Sequence, residues 1–309
     1  MGLLGRLYRK VIISVDVDVQ LCKVKVTHHK NAQHNEERSF RTVNGDLPIE
    51  AAKYIRHIQN GYPYTYIATM SRAKKQGLIS GNRLRKFEAF GLNPNALMIM
   101  LVNRRWFAYI DKDDMARFRS KFSKIHGVDF IFSPFCLIYE KIKPRLDGSK
   151  KLYILQEKGA CSLMIADKSG VYYGNYIPFE QNNLEIKEGL ESSDDDVVKF
   201  EAIGDINENI IIKDFDSKSE EESQKNNLTD LSTANTMINI IKETLNTFYR
   251  DERYASDFIE ELLILDASGI SDSSITHLTN NMMLETQFLR VDVCAEIERL
   301  AKMELRIKV

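Results

Sequence analysis

Apolar and polar positions alternate first over residues 11–26, VIISVDVDVQLCKVKV, and the alternation from Val15 onward predicts a half-buried strand or tight hairpin. Residues 48–59 predict a helix with Pro48 at its start and Gly61 and Pro63 at its end. Tyr64 to Met70 predicts a buried strand. Residues 72–91 are basic and loop-rich. Ala96 to Val102 and Arg105 to Ile110 predict two strands joined at Asn103-Arg104. Asp113 to Ile125 predicts an amphipathic helix, Asp129 to Phe132 a short strand, and Phe135 to Lys143 a helix ending at Pro144. Lys151 to Phe179 predicts a three-strand meander, with turns at Gly159 and Asp167 to Gly170.

The pattern then breaks. Residues 185–230 are acidic and rich in Ser and Asn. Within them only VVKFEAI and NIIIKDF predict short strands, and 215–230 predicts a mobile loop. Ala234 to Arg250 predicts a long helix with Met237, Ile241, Leu245 and Phe248 on one stripe. Next come a strand at Leu262–Leu265, the small-residue turn Asp266-Ala267-Ser268-Gly269, and a helix for which Asp272, Ser273 and Ser274 offer capping oxygens. A strand at Phe288 to Val293 and a final helix from Cys294 to Leu305 complete the chain. Strand, tight turn and helix N-terminus is a unit that presents backbone N–H groups to a phosphate, because those donors lack partners inside the helix. An ordinary βαβ unit gives the same pattern.

Length favours about two domains. The net charge of −1 conceals an asymmetry: residues 1–150 carry 27 Lys and Arg against 13 Asp and Glu, and residues 151–309 carry 16 against 31. The basic half therefore suits the acidic half, an acidic partner or a membrane surface. Its cations are spread rather than interleaved with aromatics, so nucleic acid is not the expected partner. Cys22, Cys136, Cys161 and Cys294 lack metal or redox spacing, which favours reduced thiols. His28, His29 and His34 fall in a polar, loop-like segment, 27–38, without carboxylates at ligand spacing. No apolar run reaches the roughly 18 residues of a membrane span. The N-terminal apolar stretch reads as a first strand rather than a signal peptide. Arg6 stands where a myristoylation signal needs Ser or Thr. Trp106 reads as edge-strand packing, Met282-Met283 as core or interface packing, and Ser274 with His277 lacks a nucleophile elbow.

Three stretches together resemble the actin-like ATPase superfamily, in the branch that includes PilM, FtsA and the cytoplasmic domain of GspL. Val11 to Val26 is similar to the first phosphate hairpin, with Asp16 at its acidic position and Lys23 at its later Lys. Lys151 to Ile165 is similar to the second, with Glu157-Lys158-Gly159 where the family has Asp-x-Gly. Ala234 to Arg290 is similar to the adenosine-side segment, with Ser268-Gly269 at its Gly-rich turn. The resemblance implies an α/β fold of mixed sheets in two RNase H-like lobes: 1–147 with an inserted subdomain, and 148–309 with the acidic, partly mobile insertion at 185–230. It places the residual nucleotide cleft at Asp16, Lys23, Glu157, Gly159, Ser268 and Gly269.

The departures shape the expected function. The family has Gly two residues after the Asp, and this chain has Asp18, a carboxylate that repels phosphate. Gln156 rivals Glu157 for the second acidic position, and one Gly remains in the adenosine turn. The expectation is a non-catalytic scaffold with no cofactor and no metal. It would be cytoplasmic, peripheral at the inner membrane, and would serve type II secretion, type IV pili or competence. The implied partners are an assembly ATPase and an inner-membrane protein's cytoplasmic segment; homodimerisation is left open. The alternatives are an ATP/Mg binder with weak ATPase activity, using Asp16, Glu157 and Ser268-Gly269, and an RNase H-like nuclease using Mg²⁺ at Asp16 and Asp18.

Overall fold

The computed structural model describes residues 10–29, 35–42, 45–179 and 217–307, with side chains from residue 230 onward in the last stretch. The chain opens on β1 (Val11–Val17) and β2 (Leu21–His28), an antiparallel hairpin with Asp16 opposite Lys23. Strand alternation sends Val11, Ile13, Val15 and Val17 to one face and Ser14 and Asp16 to the other. β3 (Glu36–Arg41), α1 (Ile49–Gly61) and β4 (Thr65–Met70) follow, β4 running parallel to β1. Then come β5 (Gln76–Ser80), α2 (Lys86–Ala89), β6 (Leu97–Val102), β7 (Trp106–Asp111) and α3 (Lys112–Ser120), whose N-cap Asp111 accepts from Asp113 and Asp114. β8 (Phe130–Phe132) and α4 (Pro134–Ile142) close the first half. The second half holds β9 (Lys151–Gln156), β10 (Ala160–Ala166), β11 (Val171–Pro178), α5 (Ser217–Arg250), β12 (Glu261–Asp266), α6 (Asp272–Asn281), β13 (Glu285–Arg290) and α7 (Val293–Glu304).

The two halves repeat one topology. The first sheet runs β3-β2-β1-β4-β8, and the second contains β11-β10-β9-β12-β13 in the same relation. In each, a three-strand antiparallel meander is followed by two strands parallel to its first strand. This is the duplicated RNase H-like arrangement of a two-lobe actin-like fold. The second sheet also gains β5, β7 and β6 from the first half of the chain, joined to β11 where Asn175 meets Gly77.

The layers alternate. α1 and α3 cover the outer face of the first sheet. α4 and α7 lie between the sheets, in a core that joins Ile12, Ala68 and Met70 to Tyr153, Leu155 and Met164. α5 and α6 cover the outer face of the second sheet. Fully burying each large side chain in these cores contributes roughly 1.5–3 kcal/mol. Trp106 is wholly buried, 5.6 Å from Tyr139, and so packs as expected, but on the inner strand β7 and not at a sheet edge. The four cysteines are free and buried.

Five local expectations need correction. Residues 36–38 of the expected loop-like segment 27–38 belong to the edge strand β3; EERSFR shows no apolar alternation, and its side chains are largely exposed. His28 ends β2 buried, edge-on to Tyr62 at 4.9 Å, and His34 lies outside the described residues. β5 occupies part of the basic 72–91 stretch. Helix α5 starts at Ser217, inside the expected loop, since Glu, Gln and Lys favour helix and neither Gly nor Pro interrupts 217–250. Ser271, not Asp272 to Ser274, holds the N-cap position of α6, and its hydroxyl meets those of Ser273 and Ser274 at 3.1 Å rather than a helix amide. Met282 packs against the core, whereas Met283 is fully exposed. VVKFEAI and NIIIKDF lie outside the described residues.

Candidate functional site

Parallel strands that share an edge deliver the residues after their C-termini to one place. β1 and β4 do so in one lobe, β9 and β12 in the other. Asp16 lies near the end of β1, Arg72 two residues beyond β4, and Glu157 directly after β9. Arg72 bridges the lobes: its Nη2 donates to Asp16 Oδ1 at 2.6 Å and to Glu157 Oε1. Glu157 is 1% exposed. Burial lifts its carboxyl to about 7; Arg72 pulls it down, and Asp16 and Asp18 push it further up. Burial also works against the charge on Arg72, but Glu157, Asp16 and Asp18 outweigh it and hold the guanidinium above its ordinary range. A charge buried here without its partner would cost several kcal/mol.

The tips of the two hairpins touch. Asp18 Oδ1 accepts from the Val19 amide at 2.7 Å, and its Oδ2 is approached by the Lys158 amide at 3.4 Å. Thr42 Oγ1 donates to the carbonyls of Asp18 and Val19 at 3.0 and 2.7 Å, fixing the first tip. A Cβ on Gly159 would lie 2.3 Å from Val19 Cγ2, so only glycine permits this approach.

The third element closes on itself. Asp266 Oδ1 accepts from the Ser268 and Gly269 amides, both at 3.0 Å, and from Ser268 Oγ at 2.8 Å. Its other oxygen takes Arg290 Nη1, and Arg290 Nη2 donates to the Ile270 carbonyl at 2.9 Å. Gly269 has φ of +77°, a conformation that suits glycine. The Ala267 amide donates to the Gln156 carbonyl at 2.9 Å, tying this turn to the end of β9.

A cleft of about 630 Å³ opens beside the hairpin tips, bordered by Asp18, Lys74, Phe118, Lys121, Gly159 and Tyr176. Ser268 and Gly269 do not line it. Lys121 Nζ donates to the Gly45 carbonyl at 3.1 Å, and burial with the charge of Glu157 pushes the Tyr176 phenol up.

The sequence-predicted residues thus fall into four settings. Asp16 and Glu157 are brought together, but through Arg72. Gly159 faces Val19. Ser268 and Gly269 clasp Asp266. Lys23 stands opposite Asp16 with its carbonyl accepting the Cys294 thiol of α7 at 3.6 Å. Arg72 and Asp266 were not singled out from the sequence. The signal for Arg72 was its place just after an apolar strand; for Asp266, its place two residues before Ser268.

A triphosphate needs free amide donors and a metal held by carboxylates. Here the carboxylate of Asp18 lies over the hairpin amides, that of Asp266 takes the turn amides, and a guanidinium fills the space between Asp16 and Glu157. These residues do not fit Mg-ATP as arranged. The two carboxylates of the nuclease reading are likewise engaged apart, Asp16 on Arg72 and Asp18 on its own turn. Among the described residues no three His, Cys, Asp or Glu side chains form a group able to hold a metal ion.

The fold has solved counterparts. The PilM–PilN type IV pilus biogenesis complex matches at 10% identity over 95% of this chain and 93% of that one, with a TM-score of 0.53. A Bacteroides thetaiotaomicron VPI-5482 protein with an actin-like ATPase fold matches at 11% identity over 94% of each chain, with a TM-score of 0.48. The ethanolamine utilization protein EutJ from Carboxydothermus hydrogenoformans matches at 9% identity over 93% of this chain and 87% of that one, with a TM-score of 0.45. At such identities the likeness speaks for the fold alone. No curated protein matches by sequence. Two family models account for most of the chain: a domain of unknown function (DUF8569) over residues 8–139 and another (DUF8341) over residues 152–306. Since the second model takes in half of the sequence, the chain belongs to the DUF8341 family, on an actin-like ATPase fold.

Proposed function

We propose that this protein is a non-catalytic scaffold of actin-like fold, a docking body for a type II secretion, type IV pilus or competence DNA-uptake machine. The observation that carries the reading is the Arg72 guanidinium between Asp16 and Glu157, where an ATPase of this fold needs a metal and phosphates. A fixed cation there pairs with both carboxylates without a ligand and ties the lobes together. The choice of machine is supported by the fold shared with PilM in the PilM–PilN complex. On this reading the partners are an assembly ATPase and the cytoplasmic segment of an inner-membrane protein, and the scaffold reaches the membrane through them. No helix among the described residues is long and apolar enough to cross a membrane itself.

The test has two arms. A ligand at 100 times its dissociation constant adds about 2.7 kcal/mol to stability. Melting with millimolar Mg-ATP is expected to show no shift, and turnover is expected to stay at the no-enzyme background; a clear shift or turnover establishes the ATP-binding reading instead. In the second arm, crosslinking in the producing cells followed by mass spectrometry is expected to recover an assembly ATPase or an inner-membrane assembly protein. Recovery of neither removes the machine assignment while leaving the first arm's result standing.

A further inference from the structure

Among the described residues the two sheets have four edges: β3 and β8 on the first, β13 and β6 on the second. Proteins guard such edges with charges or with very short strands, because unpaired N–H and C=O groups invite another strand. β3 reads EERSFR and β13 reads ETQFLR, both charged; β8 has three residues. β6 reads LMIMLV, is hydrogen-bonded on one side by β7, and has no guarding charge. Residues 89–103 contain no charged residue at all. Met98 and Met100 on one face are each 47% exposed, and Leu101 on the other is 44% exposed.

The strand is also a palindrome. Leu97-Met98-Ile99-Met100-Leu101 reads the same in both directions. A two-fold interface requires that if one residue meets a second, the second meets the first. An antiparallel pair of β6 strands centred on Ile99 satisfies this with like shapes throughout: Leu97 against Leu101, Met98 against Met100, and Ile99 against itself. Met98 and Met100 share a face with Val102, as their partners Ile110, Ala108 and Trp106 on β7 show. The pairing would therefore gather four methionines on one side of the joined sheet. The charges are compatible too. Arg104 and Arg105 lie beyond the strand and would stand opposite Pro94 and Asn93 of the other copy, not opposite its arginines.

We propose that β6 is a self-association edge, on which a second copy of this chain docks antiparallel about a two-fold axis at Ile99. The surface lies on the second sheet's outer strand, and the proposal is independent of whether the hairpin site binds nucleotide.

The full chain tests this by sedimentation equilibrium. The wild type is expected to dimerise below about 200 µM. Met98→Lys with Met100→Lys sets like charges face to face across the axis and is expected to weaken the dimer at least about tenfold. Met98→Lys with Met100→Glu sets opposite charges face to face and is expected to recover most of that loss. Both side chains are about half exposed, so each variant should keep the wild-type circular dichroism. Ile99→Cys gives a second readout: its thiol meets its own copy on the axis, and mild oxidation is expected to crosslink it well above Leu84→Cys, an exposed position off the strand. The native cysteines are buried and give little background. A monomer at about 200 µM with no excess Ile99→Cys crosslinking overturns the proposal. So does a dimer indifferent to the like-charged pair, or a charge-swapped variant as weak as the like-charged one.

Discussion

Gly159 and Val19 meet where the two phosphate-type hairpins touch: a β-carbon on Gly159 would sit 2.3 Å from Val19 Cγ2. The hairpin tips of the two lobes therefore meet through a glycine and a branched side chain. Gly159→Ala is expected to destabilise by about 1–3 kcal/mol, the usual cost of overpacking. Val19→Ala in the same chain removes the obstructing methyl group and should recover most of it. Chemical denaturation of both single variants and the double variant gives the coupling. Simple additivity would show that the hairpins separate freely.

The Arg72 bridge gives a second expectation. Removing one member of a buried ion pair typically costs about 3–5 kcal/mol, because the charge left behind has no partner. At pH 8, where Glu157 is ionised in the wild type, Arg72→Met leaves Asp16 and Glu157 facing each other and should fall in that range. Adding Asp16→Asn and Glu157→Gln removes the repulsion and should restore much of the loss. If the triple variant is no more stable than Arg72→Met, packing and not charge holds this junction.

Much of the fold was legible because it rests on local periodicity. Valines alternating with Ser14, Asp16, Lys23 and Lys25 announce the first hairpin, and the runs around Ile154, Leu163 and Ile264 announce the second lobe. β3 and β5 were hidden for opposite reasons. The first is an exposed edge with no apolar face; the second carries a Gly that brings it against Tyr109, whose hydroxyl would lie 2.6 Å from a Cβ there. At the site, the approach of Asp16 and Glu157 followed from the repeated topology. Arg72 did not, because its role depends on two strands ending side by side, a non-local fact. The self-clasp of Asp266 was within reach: Asp followed by Ser and Gly at two and three residues is a side-chain-capped turn.

Glu157 makes the junction pH-sensitive. Its folded-state value is raised from 4.5 to about 7, chiefly by burial, so the folded protein holds this proton more tightly than the unfolded chain. Stability then falls as pH rises between those values, because the native state binds more protons there. The contribution is fully present below the unfolded value and is lost as pH passes through about 7. Between pH 5 and 8 it amounts to on the order of 3 kcal/mol. Glu157→Gln cannot titrate and should flatten this slope in melts across the same pH range. An unchanged slope would assign the dependence elsewhere.

Asp266 serves two partners, and its variants separate them. The carboxylate is 2% exposed, while the side chain of Arg290 is 57% exposed. An ion pair with one end in water is worth at most about 1 kcal/mol, so Arg290→Ala should cost no more than that. The turn amides of Ser268 and Gly269, by contrast, both rest on this one buried carboxylate oxygen. Asp266→Ala removes the acceptor altogether and should cost about 2–3 kcal/mol, in the range for hydrogen bonds to a charged group. Asp266→Asn keeps one acceptor oxygen for the turn and should fall between the other two. Hydrogen exchange gives an independent reading: the Ser268 and Gly269 amides should exchange faster in Asp266→Ala and stay protected in Arg290→Ala. Were Arg290→Ala as damaging as Asp266→Ala, the ion pair would be the main support of this turn, and the amides would owe their order to Arg290 holding the Ile270 carbonyl.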